Sequence, residues 1–286
     1  MQFAIDLAHF GPFSNPHLMV ELAHETEEAG WDGFFLWDHL NYHQAGLPQP
    51  VAIADPWIQL SAIALHTKYI KLGTMVTPLP RRRPWKLARE TVTLDHLSGG
   101  RLILGVGLGT NFFGEYHDFG EPTDERVHGE MLDEGLAVLM HLWSGEAFSY
   151  EGQYYQLSQV QFLPKPLQQP HIPIWVAGNW PQKKPFRRAA QFDGVFAQRL
   201  SRPLTPEDFH EILGYIHPHR TATTAFDVVA SGSTSGADKA RDGAQIASFA
   251  QAGATWWVEG FDPLQTVEQV RQRIHQGPPQ IGRAHV

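Results

Sequence analysis

The sequence predicts an α/β fold, a single parallel barrel of eight strands and eight helices (the TIM-barrel type) with an insertion after the fourth strand. Three observations predict it. Short apolar segments recur eight times, each leaving a turn residue and ending in polar or aromatic positions, at 3–7, 34–37, 70–74, 102–106, 174–177, 194–197, 227–230 and 255–259. Helical patterns separate them, and alternation of strand with helix builds a parallel sheet. The last segment, in Ala252-Gly-Ala-Thr-Trp-Trp-Val-Glu259, reads as the eighth inner strand, and within 286 residues such regular spacing leaves none for a second core.

The elements follow in order. The first helix is expected over 16–29, with Asn15 as cap, Pro16 at its first position and Gly30 as its stop. Leu18, Met19, Leu22 and Ala23 recur at helical spacing, so that face lies on the barrel. Further helices fit 56–66 and 84–97, the latter closed by Ser98-Gly99-Gly100. After strand four comes the longest departure from alternation, 108–172, holding an amphipathic helix over 125–143 and a hairpin over 148–162. The run Leu163-Pro-Lys-Pro-Leu-Gln-Gln-Pro-His-Ile-Pro173 then forms an extended connector without proline donors. An excursion of this size at the working face of a barrel is expected to be a lid or a partner surface. A helical pattern over 186–192 follows strand five, and a short extended tail is expected from Gly277 onward.

Composition excludes several classes. Zero cysteines rule out a disulfide framework and thiolate metal sites, and no window offers the roughly 18 apolar residues of a membrane span. The start, MQFAIDLAHFG, reads as a strand rather than a signal peptide, so a cytoplasmic protein without membrane partners is expected. A net charge of −8 disfavours nucleic acid, and Arg81-Arg82-Arg83 is too short a run to reverse that. Nine tryptophans suit a pocket for an aromatic ligand, although core packing is their commoner use.

Barrels of this type carry their chemistry on loops at the carboxyl ends of the strands. Strand two ends in Trp37-Asp38-His39, an acid beside an imidazole. Histidine exchanges a proton near neutral pH, and a neighbouring carboxylate orients it or holds it charged. In the plainer alternative Asp38 caps the following turn and His39 is merely hydrogen-bonded there. Strand three ends in Gly73-Thr-Met-Val-Thr-Pro78, where a bulge at Thr74, Met75 and Val76 would press against a flat ring; an ordinary strand end before a proline turn uses the same residues. Strand four runs into Gly105-Val-Gly-Leu-Gly-Thr-Asn111. Its glycines permit close backbone approach without the spacing of a dinucleotide fingerprint, and Thr110 and Asn111 are candidates to bond a ring edge or substrate. After strand five, Ala177, Gly178 and Asn179 either cradle a phosphate at a helix start or make a tight turn. Gln198 and Arg199 follow strand six, where a second phosphate or substrate contact belongs, with a surface ion pair as the commoner use of the arginine. The sixteen histidines show no helical metal-binding spacing, so no metal is expected, and no Gly-x-Ser-x-Gly elbow points to acyl transfer.

Together these motifs resemble the bacterial luciferase-like superfamily of barrel oxidoreductases, which bind flavin mononucleotide (FMN) or its deazaflavin analogue, coenzyme F420. The matching runs are Gly30-Trp-Asp-Gly-Phe-Phe-Leu-Trp-Asp-His39, Leu72-Gly-Thr-Met-Val-Thr-Pro78 and Gly99-Gly-Arg-Leu-Ile-Leu-Gly-Val-Gly107. Leu142-Trp-Ser-Gly145, Tyr150-Glu-Gly-Gln-Tyr-Tyr155, Phe162-Leu-Pro-Lys-Pro166 and Ile172-Pro-Ile-Trp-Val-Ala-Gly178 extend the match over nearly the whole chain. The resemblance implies that His39 lies near the reactive edge of the ring as acid or base. It implies a non-proline cis peptide at Met75-Val76 bulging against that ring, and a phosphate held by Ala177, Gly178 and Asn179. It also implies that the excursion contributes to a substrate lid and a subunit interface, hence a homodimer. The leading expectation is a monooxygenase using reduced FMN and oxygen on a small organic substrate, with Trp37, Trp57, Trp175, Trp180 and Phe112 walling a dry pocket. Reduced flavin is then expected from a separate flavin reductase or from free reduced flavin, because no nicotinamide fingerprint is visible. The alternatives are an F420-dependent dehydrogenase or reductase and a non-catalytic flavin-binding barrel. Some F420-dependent relatives carry a glutamate just after the strand-four glycines, where this chain has Thr110.

Overall fold

The computed structural model describes residues 1–43, 45–47 and 49–280, so part of the expected tail, 281–286, lies outside the described residues. The chain runs β1 (Gln2–Leu7), α1 (Pro16–Glu28), β2 (Gly33–Leu36), α2 (Pro56–His66), β3 (Lys71–Pro78), α3 (Pro84–Ser98), β4 (Leu102–Gly107) and α4 (Glu125–Ser144). It continues through β5 (Phe148–Glu151), β6 (Gln156–Val160), β7 (Ile174–Asn179), α5 (Lys183–Ala189), β8 (Gly194–Gln198) and α6 (Pro206–Ile216). It ends with β9 (Asp227–Gly232), α7 (Lys239–Gln251), β10 (Trp256–Gly260) and α8 (Val267–His275). Eight strands close into a barrel in the order β1-β10-β9-β8-β7-β4-β3-β2, and every pairing in it is parallel.

Helix ends fall where the sequence chemistry puts them. The Asn15 side chain accepts from the His17 amide, Asp55 caps α2 through Ile58, and Gly30, Gly99 and Gly145 take positive φ after α1, α3 and α4. Strand alternation then sorts the apolar residues into two layers. Ile5, Leu7, Leu22, Leu60 and Leu87 belong to the outer layer between barrel and helices. Ala4, Phe35, Ile103, Trp175, Phe196 and Trp256 fill the interior, where the Trp175 and Trp256 rings cross at 5.1 Å.

The insertion after β4 divides into parts at opposite ends of the barrel. Residues 108–123 stand at the carboxyl ends of the strands, whereas α4 is the crossover helix and carries the chain back to the amino end. There the proline connector is pinned to the end of α3, whereas the antiparallel β5-β6 hairpin runs back along α3 and α4, its turn bonded to Glu134 and Tyr155 packed on Trp85 near the start of α3. Buried Asp95 accepts from the amides of Leu167 and Gln168, and His96 bonds the Lys165 carbonyl at 2.7 Å. Within the 108–172 excursion, 108–123 stands at the working face and the connector lies at the other end. A helix that follows a barrel strand runs antiparallel to it, so the chain leaves the helix at the other end. Among the described residues no helix is long and apolar enough to cross a membrane.

Candidate active site

At the carboxyl end of β2 the chain turns through His39, whose imidazole is about one-fifth exposed. Its Nδ1 lies 2.9 Å from Oε2 of Glu115, a fully buried residue from the loop after β4. The same carboxylate accepts from the Leu40 amide at 2.6 Å and from Arg81 Nη1 at 2.5 Å. Burial alone would raise the Glu115 carboxyl, but the His39 bond and charge, then Arg81 and the Leu40 amide, outweigh it and hold the group below its ordinary value. With Nδ1 engaged by a carboxylate, the ring is fixed in orientation and Nε2 is left to exchange a proton.

Asp38 serves a different arrangement. Its oxygens accept from Arg82 at 2.8 and 2.9 Å and from the Thr77 hydroxyl at 2.8 Å, and Thr77 Oγ1 lies 2.8 Å from Thr74 Oγ1. Burial pushes the Asp38 carboxyl up, but the charge and bonds of Arg82, then Arg81 and Thr77, bring it below the ordinary range. Arg81 joins the two groups, donating through Nη2 to the Asp38 carbonyl at 2.9 Å. The expectation that Asp38 orients His39 is corrected here: successive residues at a strand end point to opposite faces, so Asp38 turns outward to the arginines and Glu115 takes the imidazole.

Beside this network β3 departs from regular pairing. Thr74 pairs with Leu104 and Thr77 with Val106, so one more residue lies on β3 than on β4, and the Met75-Val76 peptide within the bulge is cis. Both Met75 and Val76 pack in the interior cluster, whereas Thr74 is buried on the outer side with Asp38. Glycines make room for the bulge. A Cβ on Gly107 would lie 2.8 Å from Val76 Cγ2 and 3.5 Å from the Ala177 Cβ.

The remaining candidates are more dispersed. Thr110 Oγ1 accepts from the Phe112 amide and Asn111 Oδ1 from the amides of Tyr116 and His117, so both side chains shape the loop that delivers Glu115. Ala177 lines the interior beside Val76. Gly178 and Asn179 continue the β7 ladder against Ala197 and Gln198, and α5 starts only at Lys183, after Pro181. Asn179 Oδ1 accepts from the Leu200 amide, Gln198 is exposed, and Arg199 pairs with Asp208 at 3.1 Å. Of the five aromatic wall candidates, Trp37 stands at the mouth with Phe10, Tyr42 and His39 around it. Trp175 fills the barrel interior, Trp57 and Trp180 lie in the outer layer, and Phe112 is 78% exposed. A dry pocket walled by all five is therefore not what the fold assembles.

Sequence reasoning missed Glu115, Arg81 and Arg82. The arginines were visible only as a basic run and Glu115 only as a loop acid, 76 residues from His39, a separation no local pattern bridges. Among the described residues no group of three or more histidines and carboxylates is disposed to hold a metal.

Comparison with known proteins places these features in context. Residues 8–239 match the family model described as luciferase-like monooxygenase. The oxygenase component of a flavin-dependent trigonelline monooxygenase from Acinetobacter baylyi is 29% identical over 199 residues, covering 70% of this chain and 52% of the relative. An F420-dependent glucose-6-phosphate dehydrogenase from Nakamurella multipartita is 30% identical over 168 residues, covering 58% and 48%. The chain thus spans about half the length of the curated relatives it matches. A monooxygenase from Streptomyces bottropensis superposes over 96% of this chain and 97% of its own with a TM-score of 0.76 at 21% identity.

Proposed function

This chain belongs to the luciferase-like monooxygenase family, and from that premise we propose that it uses reduced FMN and oxygen to oxidise a small organic substrate. The coarser statement, an oxidoreductase of the flavin or deazaflavin kind, follows from the family and from relatives of both kinds. The bulged, glycine-backed Met75-Val76 segment beside a carboxylate-oriented His39 supports a flat ring at this place, and the flavin-dependent trigonelline monooxygenase component, similar over 70% of this chain, supports the finer reading. A flat ring fits such a place because the interior at the strand ends offers Val76, Gly105, Gly107 and Ala177 in place of bulky side chains.

Bound reduced FMN would supply the electrons and activate oxygen. The protein's part is the rest. Met75, Val76 and Ala177 support the ring, Thr74 anchors the bulge from the outer side, and the 108–123 loop with Thr110 and Asn111 covers the mouth. His39 exchanges a proton through Nε2, with Glu115 stabilising the imidazolium through Nδ1. Gly178, Asn179 and Gln198, just beyond Ala177, are the proposed phosphate side of the site. A separate reductase would deliver reduced flavin. Exposed Ile58 and Leu65 on α2, at 68 and 66%, with Tyr69 in the loop after it at 80%, support a homodimer through this side of the barrel.

The relatives that use F420 favour a second reading, hydride transfer on the deazaflavin without oxygen. Fluorescence titration with oxidised FMN, reduced FMN and F420, followed by oxygen-uptake assays, separates the two. Tight binding of reduced FMN with substrate-dependent oxygen uptake is expected; selective F420 binding without uptake would replace the first reading by the second. His39→Ala should lower turnover by roughly 100-fold or more while leaving ring binding in place. Unchanged turnover would remove His39 from the chemistry.

A further inference from the structure

The mouth holds a second ionisable side chain that the proposed chemistry leaves unused. Asp6 shares the inner face of β1 with Ala4, opposite Gly260 of β10. Toward the amino ends the interior is filled by the Trp175 and Trp256 rings. Toward the carboxyl ends, alternation puts the small residues Gly105, Gly107, Ala177, Ser231 and Gly260 on the inner face with Met75, Val76 and Trp37, a hollow read from side-chain size above the indole rings. Asp6 shares that inner face beside Trp37, and is 91% buried by its 9% exposure. Its Oδ2 accepts from Trp37 Nε1 at 3.0 Å, whereas Oδ1 is buried with no partner among the described residues. A buried carboxyl with one hydrogen bond unmade is incomplete in the free protein.

We propose that Asp6 is a ligand-contacting residue of this site, its carboxyl group donating a hydrogen bond to a carbonyl-type acceptor on the polar edge of the ring seated in the hollow. The inference rests on the reading that a flavin or deazaflavin binds there. Donation requires the acid form. Burial pushes the Asp6 carboxyl up to about 8, and the Trp37 bond opposes this only in part. The surrounding elements supply no compensating cation. β1 continues to His9, which burial lowers to about 4 and so keeps neutral. β2 leads through Trp37 to His39, already engaged by Glu115. On β10, Gly260 is uncharged and Glu259 faces outward to Thr234 and Arg273. A carboxylic acid kept neutral by an apolar site is a recognised donor to ring oxygens.

Two variants test this. Asp6→Asn keeps an acceptor for Trp37 and a donor for the ligand but cannot ionise; Asp6→Leu keeps the bulk and removes both. Wild type and variants are titrated with FMN and with F420 between pH 6 and 9.5 by fluorescence, with circular dichroism confirming the folded state. Wild-type affinity should be flat to about pH 8 and then fall toward about tenfold per pH unit. Asp6→Asn should bind without that decline, and ionisation of the ring itself cancels in the comparison. Asp6→Leu should bind about tenfold or more weakly throughout. The inference is overturned if Asp6→Asn reproduces the wild-type decline, or if folded Asp6→Leu binds as tightly as wild type. Should Asp6→Leu fail to fold, the pH comparison with Asp6→Asn decides alone. Wild type that binds neither ring at any pH refutes the functional reading instead, and the inference falls with it.

Discussion

Replacing Glu115 by glutamine tests the arrangement at the mouth most directly. The carboxylate is fully buried and touches His39 at 2.9 Å, the Leu40 amide at 2.6 Å and Arg81 at 2.5 Å. Glutamine preserves the shape and one acceptor for Leu40 but removes the charge opposite an Arg81 side chain that is 3% exposed. Arg81 would keep a neutral acceptor at the glutamine oxygen, the Asp38 carbonyl and a 3.4 Å contact with the Asp38 carboxylate, but would lose the charge at 2.5 Å. Breaking a buried ion pair by removing one partner costs about 3 to 5 kcal/mol, since the other is left uncompensated. The retained shape argues for the lower end, about 3 kcal/mol, or roughly 6 to 10 °C in Tm. The effect carries a pH signature. Glu115 is held below its ordinary carboxyl value of 4.5, so its contribution is full above that value and is lost as pH falls through the folded-state one. Denaturant unfolding of both proteins should therefore show a wide gap at pH 7 that narrows toward pH 3. A gap equally wide at both, or none at pH 7, would refute the account.

Further outcomes follow from the same geometry. Asp38→Asn removes the charge facing Arg82 and should cost about 3 kcal/mol in unfolding experiments, yet leave turnover of the folded enzyme within a few-fold; a loss as large as that of His39→Ala would place Asp38 in the chemistry. Gly107→Ala puts a methyl 2.8 Å from the stiff Val76 side chain, so ring binding should weaken by about tenfold with a stability loss of about 1 to 3 kcal/mol, and unchanged binding by titration would separate the bulge from the ligand. His9 is lowered to about 4 from 6.5, so between these values the unfolded chain binds the proton that the folded one excludes, and stability drops as pH falls through that window. His9→Gln should remove roughly 3 kcal/mol of that acid sensitivity, and a chemical-denaturation series that is unaltered would show that His9 is not the group responsible.

Much of the fold was written in local pattern. Asn15 with Pro16, Asp55 with Pro56, and Gly99 with Gly100 mark their helix ends by chemistry confined to a few residues, and the strands show as apolar runs because a parallel barrel buries both faces. The bulge was not legible in the residues alone, since Gly73 and Thr74 before Pro78 suit an ordinary strand end equally well, and only the resemblance implied it. Sequence by itself thus determined the barrel and the position of His39 at the carboxyl end of β2, where the candidate site lies. The tertiary structure decided which charge meets which. Asp38 lies next to His39 in the chain yet turns to Arg82, while Glu115 reaches the imidazole from another loop. It also decided that Asp6 is an isolated buried acid, because burial depends on what the opposite strands bring to the interior. Such pairings are fixed by closing the barrel, which joins residues far apart in sequence through strand register and facing side, quantities to which no local window has access.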